Sequence, residues 1–224
     1  QQQQAEDKAF EQSWRKWNAA HALHDRILEL PKPYNKVRVD RLSETFYNTA
    51  PTPVLARPRF MMSMRKCFNF EIANIDSISE PKDLRVLENV LVNFDRSGAD
   101  TIDTRELISA LRFYTHSRHP TRQLLEWCFV VFASEGTIQW TKKTGAFGLK
   151  RLSMPTVSIL FENMADDMGT RRNMKELLRK GWKALPEEHH GEAITFKAFK
   201  HMLDHPPFRE VLTDHKPPED FLCS

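Results

Sequence analysis

Glycine is scarce in this chain, with seven in 224 residues, and cysteine scarcer, with three. The first leaves no phosphate-cradling glycine loop. The second, with Cys67, Cys128 and Cys223 scattered and no pair at metal-ligand spacing, leaves no disulfide framework and no cysteine metal site. Cys67 and Cys128 sit in apolar stretches (MRKCFNF, LLEWCFVVF) and read as reduced core thiols of an intracellular protein. No apolar run approaches the roughly 18 residues that suggest a membrane span. Neither sign of charge dominates: 33 Lys and Arg against 30 Asp and Glu give +3, interspersed apart from short runs such as KKTGAFGLKR. That is weak evidence for a nucleic-acid surface and better evidence against a freely diffusing, carboxylate-rich calcium sensor. The opening QQQQAEDKAF has neither Met nor an apolar segment and reads as a trimmed start, from which targeting is not to be judged.

Apolar residues, by contrast, are plentiful. They make up 40% of the chain, with 15 Phe and 5 Trp. That is enough for one large core or two small ones. Their period is helical. Residues 9–30 place Trp14, Trp17, His21, Leu23, Ile27 and Leu28 close to one stripe, and PKP at 31–33 ends it. Further helices are expected at 36–48, 60–70, 81–94, 104–116, 121–132, 153–165, 170–184 and 195–204, with a Pro-rich tail over 206–224. GTI (136–138) and AIT (193–195) are too isolated to build a sheet. The expected organisation is paired helices joined by short loops.

One loop is more informative. FDRSGADTIDTREL (94–107) fits a 12-residue calcium loop that starts at Asp95. Asp95, Ser97, Asp103 and Glu106 then occupy ligand positions 1, 3, 9 and 12, Thr101 offers the carbonyl of position 7, and Ile102 is the apolar residue of position 8. Two positions are defective. Ala99 at position 5 offers no oxygen. Asp100 replaces the glycine of position 6, at roughly 1 kcal/mol of strain. The favoured reading is a loop kept for its shape. The alternative is one Ca2+ held by Asp95, Ser97, Thr101, Asp103 and Glu106, with Asp100 swinging in as a substitute ligand.

The same frame extends outward. Placing Ile194 at position 8 puts Glu187 at position 1 but Ala198 at position 12, where a bidentate carboxylate belongs. Gly136-Thr137-Ile138 reads as positions 6 to 8 of a shortened loop, separated by a long insert from the exit helix LSMPTVSILFENM. Residues 37–70 supply two helices, a Pro-rich link and no ligands. Only Gly136 falls at a position 6.

With these motifs, the layout over residues 35–205 resembles the EF-hand superfamily, in particular its calaxin-like and neuronal-calcium-sensor-like branch. The echoes are NKVRVDRLSETFYNT, a helix ending in CFNF, VLVNFDRSGADTIDTRELISAL and LLEWCFVVF. The resemblance implies an all-α protein with two pairs of hands behind an N-terminal amphipathic helix. Residues 1–34 would be the helix and linker. Residues 35–118 would be the first pair (37–70 and 83–115), and 119–205 the second (121–165 and 170–203). It also implies a ciliary protein of the axoneme, near outer dynein arms on doublet microtubules, with tubulin, dynein-arm or docking components, or coiled-coil neighbours as partners. Nucleic acid and membrane are not expected partners.

Other chemistry is thin. His201 and His205 share a helix face, but no third zinc ligand is evident. Asp166-Asp167 reads as a helix-capping pair. No nucleophile elbow or HExxH is present, so a non-catalytic protein is expected. Met61, Met62 and Met64 lie together on one helix, where methionines either fill a core or line a partner groove. Trp14 and Trp17 lie on the first helix, which would either fill the chain's own groove or dock on another protein. Trp14, Trp17, Met61 and Met64 are therefore the candidate partner-binding residues. The functional expectation is a scaffold in a constitutive assembly. A calcium sensor using Asp95–Glu106 and a phosphatase or kinase regulatory subunit are the alternatives.

Overall fold

The computed structural model describes residues 2–50, 52–72, 80–115, 121–133, 151–162, 168–186 and 193–214. Within these the chain is mostly helical, and it divides into two compact units, Gln1–Thr115 and His116–Ser224.

In the first unit, α1 (Gln2–Leu28) is followed by two repeats of helix, three-residue strand and helix. The first repeat is α2 (Val39–Thr49), β1 (Val54–Ala56) and α3 (Arg57–Phe68). The second is α4 (Lys82–Phe94), β2 (Thr101–Asp103) and α5 (Thr104–Thr115). The short strands pair antiparallel with Leu55 opposite Ile102, and both side chains are buried. Thr104 extends the join, its N–H and its hydroxyl both donating to the Pro53 carbonyl at 2.9 and 2.8 Å. Pro58 in the first turn of α3 removes an amide that has no helical partner in any case. Asn69 ends α3 in the left-handed region, φ 56°, a conformation asparagine tolerates. The core forms where Leu42 and Phe46, Phe60 and Met64, Leu87, Val90 and Phe94, and Leu107, Ile108 and Leu111 meet. Each set recurs at three or four residues, as a helix face requires.

The second unit repeats the plan. Its elements are α6 (Thr121–Ala133), β3 (Arg151–Ser153), α7 (Met154–Glu162), α8 (Met168–Lys183), β4 (Ala193–Thr195), α9 (Phe196–Leu203) and α10 (Pro206–Asp214). β3 and β4 pair antiparallel with Leu152 opposite Ile194. Thr195 caps α9, its hydroxyl accepting from the Ala198 amide at 3.2 Å. An aromatic cluster joins the helices: Phe129 to Phe199 at 4.8 Å, Phe161 to Phe199 at 6.3 Å and Phe161 to Phe208 at 5.3 Å between ring centroids. Gly181 lets α8 approach closely, because a Cβ there would lie 2.8 Å from Met202 Cγ.

Three expectations are corrected here. AIT does build a strand. Its partner is RLS (151–153); GTI lies outside the described residues. The pairing residue Leu152 comes after the long insert, directly before α7. Residues 206–214 are not tail but α10, which packs on α8, α6 and α9 through buried Phe208 and Leu212. The apolar stripe of α1 is also redrawn. Its buried line is Lys16, Ala19, Ala20, Leu23 and Ile27, against α4 and α5, while Leu28 is exposed. At 100° per residue, Trp14, Trp17 and His21 fall to one side of that line.

Candidate functional site

The candidate site is the loop between α4 and β2, residues 95–100, together with β2 and the first turn of α5. Asp95 organises the turn. Its Oδ1 accepts from the amides of Ser97 (3.1 Å) and Gly98 (3.0 Å) and from the Ser97 hydroxyl (2.9 Å), and its Oδ2 accepts from the Asp100 amide (2.8 Å). Burial pushes the Asp95 carboxyl up, but the bonds from Ser97, Asp100 and Gly98 outweigh it and hold it below the ordinary carboxylate range. The tightness of the turn requires two left-handed residues, Gly98 at φ 68° and Asp100 at φ 57°. The second is the non-glycine strain anticipated at Asp100. Ser97 Oγ also lies 3.1 Å from Thr101 Oγ1.

The remaining acids are engaged elsewhere. Asp103 makes a two-point pair with Arg105, at 3.0 and 2.7 Å. Asp100 Oδ1 lies 3.7 Å from Arg57 Nη1. Glu106 is only 4% exposed. Its Oε2 accepts from Lys16 Nζ at 2.7 Å and its Oε1 from Arg96 Nε at 2.6 Å. Lys16 itself is 6% exposed, and its ammonium also stands 5.7 Å from the centre of the Phe94 ring. Two cations from different elements, α1 and the loop, thus share the carboxylate that would close a calcium loop.

Asp95, Ser97 and Thr101 come together, whereas Asp103 and Glu106 each face a cation of the chain. A divalent ion does not fit this donor set as arranged: both oxygens of the position-12 carboxylate are taken, and position 5 is Ala99. Among the described residues, no group of three or more His, Cys, Asp or Glu is placed to hold a metal ion. The sequence does not mark either cation, because a charged residue on a helix, such as Lys16, or in a loop, such as Arg96, reads as solvated. The available signal was that Lys16 is in register with Ala19, Ala20, Leu23 and Ile27.

The candidate partner residues separate. Met61 (8% exposed) and Met64 (fully buried) belong to the core of the first unit and offer no surface, while Met62 between them is exposed. Trp14 is 38% exposed and stacks on Trp17 at 5.1 Å with the rings 5° from parallel; Trp17 continues onto His21 at 5.5 Å. The thiol of Cys67 is buried, and burial pushes its pKa up. Cys128 is buried as well, and Cys223 and Asp166-Asp167 lie outside the described residues. Among the described residues no helix is long and apolar enough to cross a membrane.

A second surface feature emerges on α8. Its sequence holds Arg171, Arg172, Lys175, Arg179, Lys180 and Lys183 against the single acid Glu176, so 6 − 1 = +5 within a chain of net +3. Met174 and Leu178 turn inward. Lys175, Arg179 and Lys183, four apart, run along the exposed side, and Glu176 is paired with Lys180 at 2.8 Å.

Compared with models of protein families, with curated proteins and with solved structures, the chain matches none of them.

Proposed function

We propose that this chain is a non-catalytic EF-hand scaffold: four helix–loop–helix units in two pairs, retained for shape and used to hold other proteins in a fixed assembly. Support for the hands comes from the two repeats in each unit and from the ladders that join them through one central apolar pair, Leu55–Ile102 and Leu152–Ile194. The observation that carries the scaffold over the sensor is Glu106. Its two oxygens are held by Lys16 and Arg96. A sensor needs that carboxylate free to move onto an ion, because its opening is driven by the ion's preference for one arrangement.

The setting we favour is the ciliary axoneme, with doublet microtubules or outer-dynein-arm components as partners. The basic side of α8 suits the acidic surface of tubulin: a Lys or Arg every four residues repeats at about 6 Å along a helix, close to the spacing of alternate residues in an extended acidic segment. The test is localisation of a tagged chain in ciliated cells, with co-sedimentation on microtubules. Signal along the axoneme and pelleting that falls with salt support the reading. Diffuse cytoplasmic signal, with no pelleting at low salt, removes the axonemal assignment. A calcium-dependent partner would favour a sensor or a phosphatase or kinase regulatory subunit.

A further inference from the structure

We infer that the first unit is a receptor for its own N-terminal helix, and that Glu106 is the polar anchor of that binding, with the Lys16 ammonium as its ligand. The inference rests on the reading of 95–106 as a calcium-type loop only for the origin of the anchor. The binding itself stands on geometry. α1 packs on α4 and α5, the two helices that flank the loop, and presents Ala19, Ala20, Leu23 and Ile27 at helix spacing. Two small residues followed by two large ones permit close approach of the backbones at one end and fill the groove at the other. Lys16 precedes this stripe by one turn and places its ammonium on Glu106 Oε2 and near the ring of Phe94, the last residue of α4.

The far end of the helix is also tied. Arg26 Nε donates to Asp83 Oδ1 at 2.6 Å, and Asp83 Oδ2 accepts from the Glu71 amide at 2.8 Å. Asp83 is buried at the start of α4. One helix is therefore fastened at two buried carboxylates, Asp83 at the start of α4 and Glu106 in the first turn of α5, with apolar packing between them. The ligand class is an amphipathic helix with the pattern Lys-x-x-Ala-Ala-x-x-Leu-x-x-x-Ile. An ammonium on Glu106 and a divalent ion on Glu106 exclude each other, so seating α1 and loading the loop are alternatives.

The experiment is amide hydrogen exchange on the full chain, in EDTA and in 5 mM calcium, for wild type, Lys16→Glu, Lys16→Met and Glu106→Gln. Lys16→Glu sets two carboxylates against each other. It should speed exchange of α1 amides from 16 to 28 at least tenfold and leave those of α6 to α9 unchanged. Lys16→Met, which keeps the packing volume, guards against simple misfolding and should speed α1 exchange by a smaller factor. Wild-type rates should be the same in both buffers. Unchanged α1 exchange in Lys16→Glu and in Glu106→Gln would overturn the anchor. So would calcium that slows exchange of the loop amides while α1 stays protected. Calcium calorimetry on Lys16→Met/Arg96→Met addresses the loop reading separately. Uptake there, at a concentration at least tenfold below any uptake by wild type, supports the exclusion. No uptake overturns the exclusion and the calcium-type reading of the loop, and leaves the anchor to be judged by exchange.

Discussion

Replacing Glu106 by Gln keeps the shape of the side chain and removes one charge from a nearly dry position. The Lys16 ammonium then keeps the Phe94 ring and one amide oxygen but loses the Glu106 charge. Breaking a buried ion pair from one side costs about 3–5 kcal/mol, and the surviving amide bond places this case near 3. Arg96 is 39% exposed and can turn to water, so it adds little. Lys16→Met is milder, about 1–2 kcal/mol, because Glu106 keeps its 2.6 Å bond from Arg96 while losing one hydrogen bond. The double variant removes both charges at once. Exchanging a buried ion pair for neutral side chains of similar volume is often nearly neutral, so the double variant should cost less than Glu106→Gln alone. With Arg96 still facing the neutral amide, the double variant should cost about 2 kcal/mol, so the predicted coupling is about 2–3 kcal/mol, at the upper end of the range found for residues in direct contact. At about 4 °C per kcal/mol for a unit of this size, Glu106→Gln should lower the first unit's melting by about 12 °C, and equally with calcium or EDTA. Calorimetric melting of the four forms reads the cycle. Additive losses, or a Glu106→Gln form melting within about 2 °C of wild type, would refute the reasoning.

Gly181→Ala should destabilise the second unit by about 1 kcal/mol in urea unfolding: the new Cβ meets Met202 Cγ at 2.8 Å and the Phe208 ring at 3.4 Å, and the overpacking exceeds the gain in helix propensity. Phe208→Ala should cost about 3–5 kcal/mol by the same measurement if α10 belongs to the second unit's core, and almost nothing if the helix merely lies against it. Arg122→Gln tests a surface pair: the hydrogen bond from Arg122 holds the Asp204 carboxyl below its ordinary range, so the pair stabilises the fold above the unfolded carboxylate pKa and loses that contribution as pH falls through the lower folded value. The difference between Arg122→Gln and wild type should be well under 1 kcal/mol at pH 7, because the pair is largely exposed, and should vanish in acid. Reversing Lys175, Arg179 and Lys183 to Glu should abolish low-salt pelleting with microtubules without changing the melting of either unit.

Much of the helical plan was legible because it depends on period alone: every helix expected beyond residue 36 appears, displaced by a few residues at its ends. The loop was legible because six features sit in one register, and Ile102 and Ile194 do stand opposite partners, Leu55 and Leu152. What stayed hidden depends on contacts between distant segments. Leu152 is hard to find from sequence, since no glycine directly precedes it and a glycine before an apolar residue is the commoner loop sign. Yet VLARP and RLSMP share the useful one, an apolar residue three before a proline that begins a helix. The two prolines of PPFREVLTD suggested a tail, although proline suits the first turn of a helix, and Phe208 and Leu212, four apart, mark its buried face. Lys16 could be found only by asking what lies in line with Ala19, Ala20 and Leu23, and its partner is 90 residues away.

The most direct test of the account is calcium calorimetry on the unaltered full chain. A loop whose closing carboxylate already holds Lys16 and Arg96 should take up no calcium at physiological micromolar concentrations. Stoichiometric uptake in that range, lost on Glu106→Gln, would contradict it.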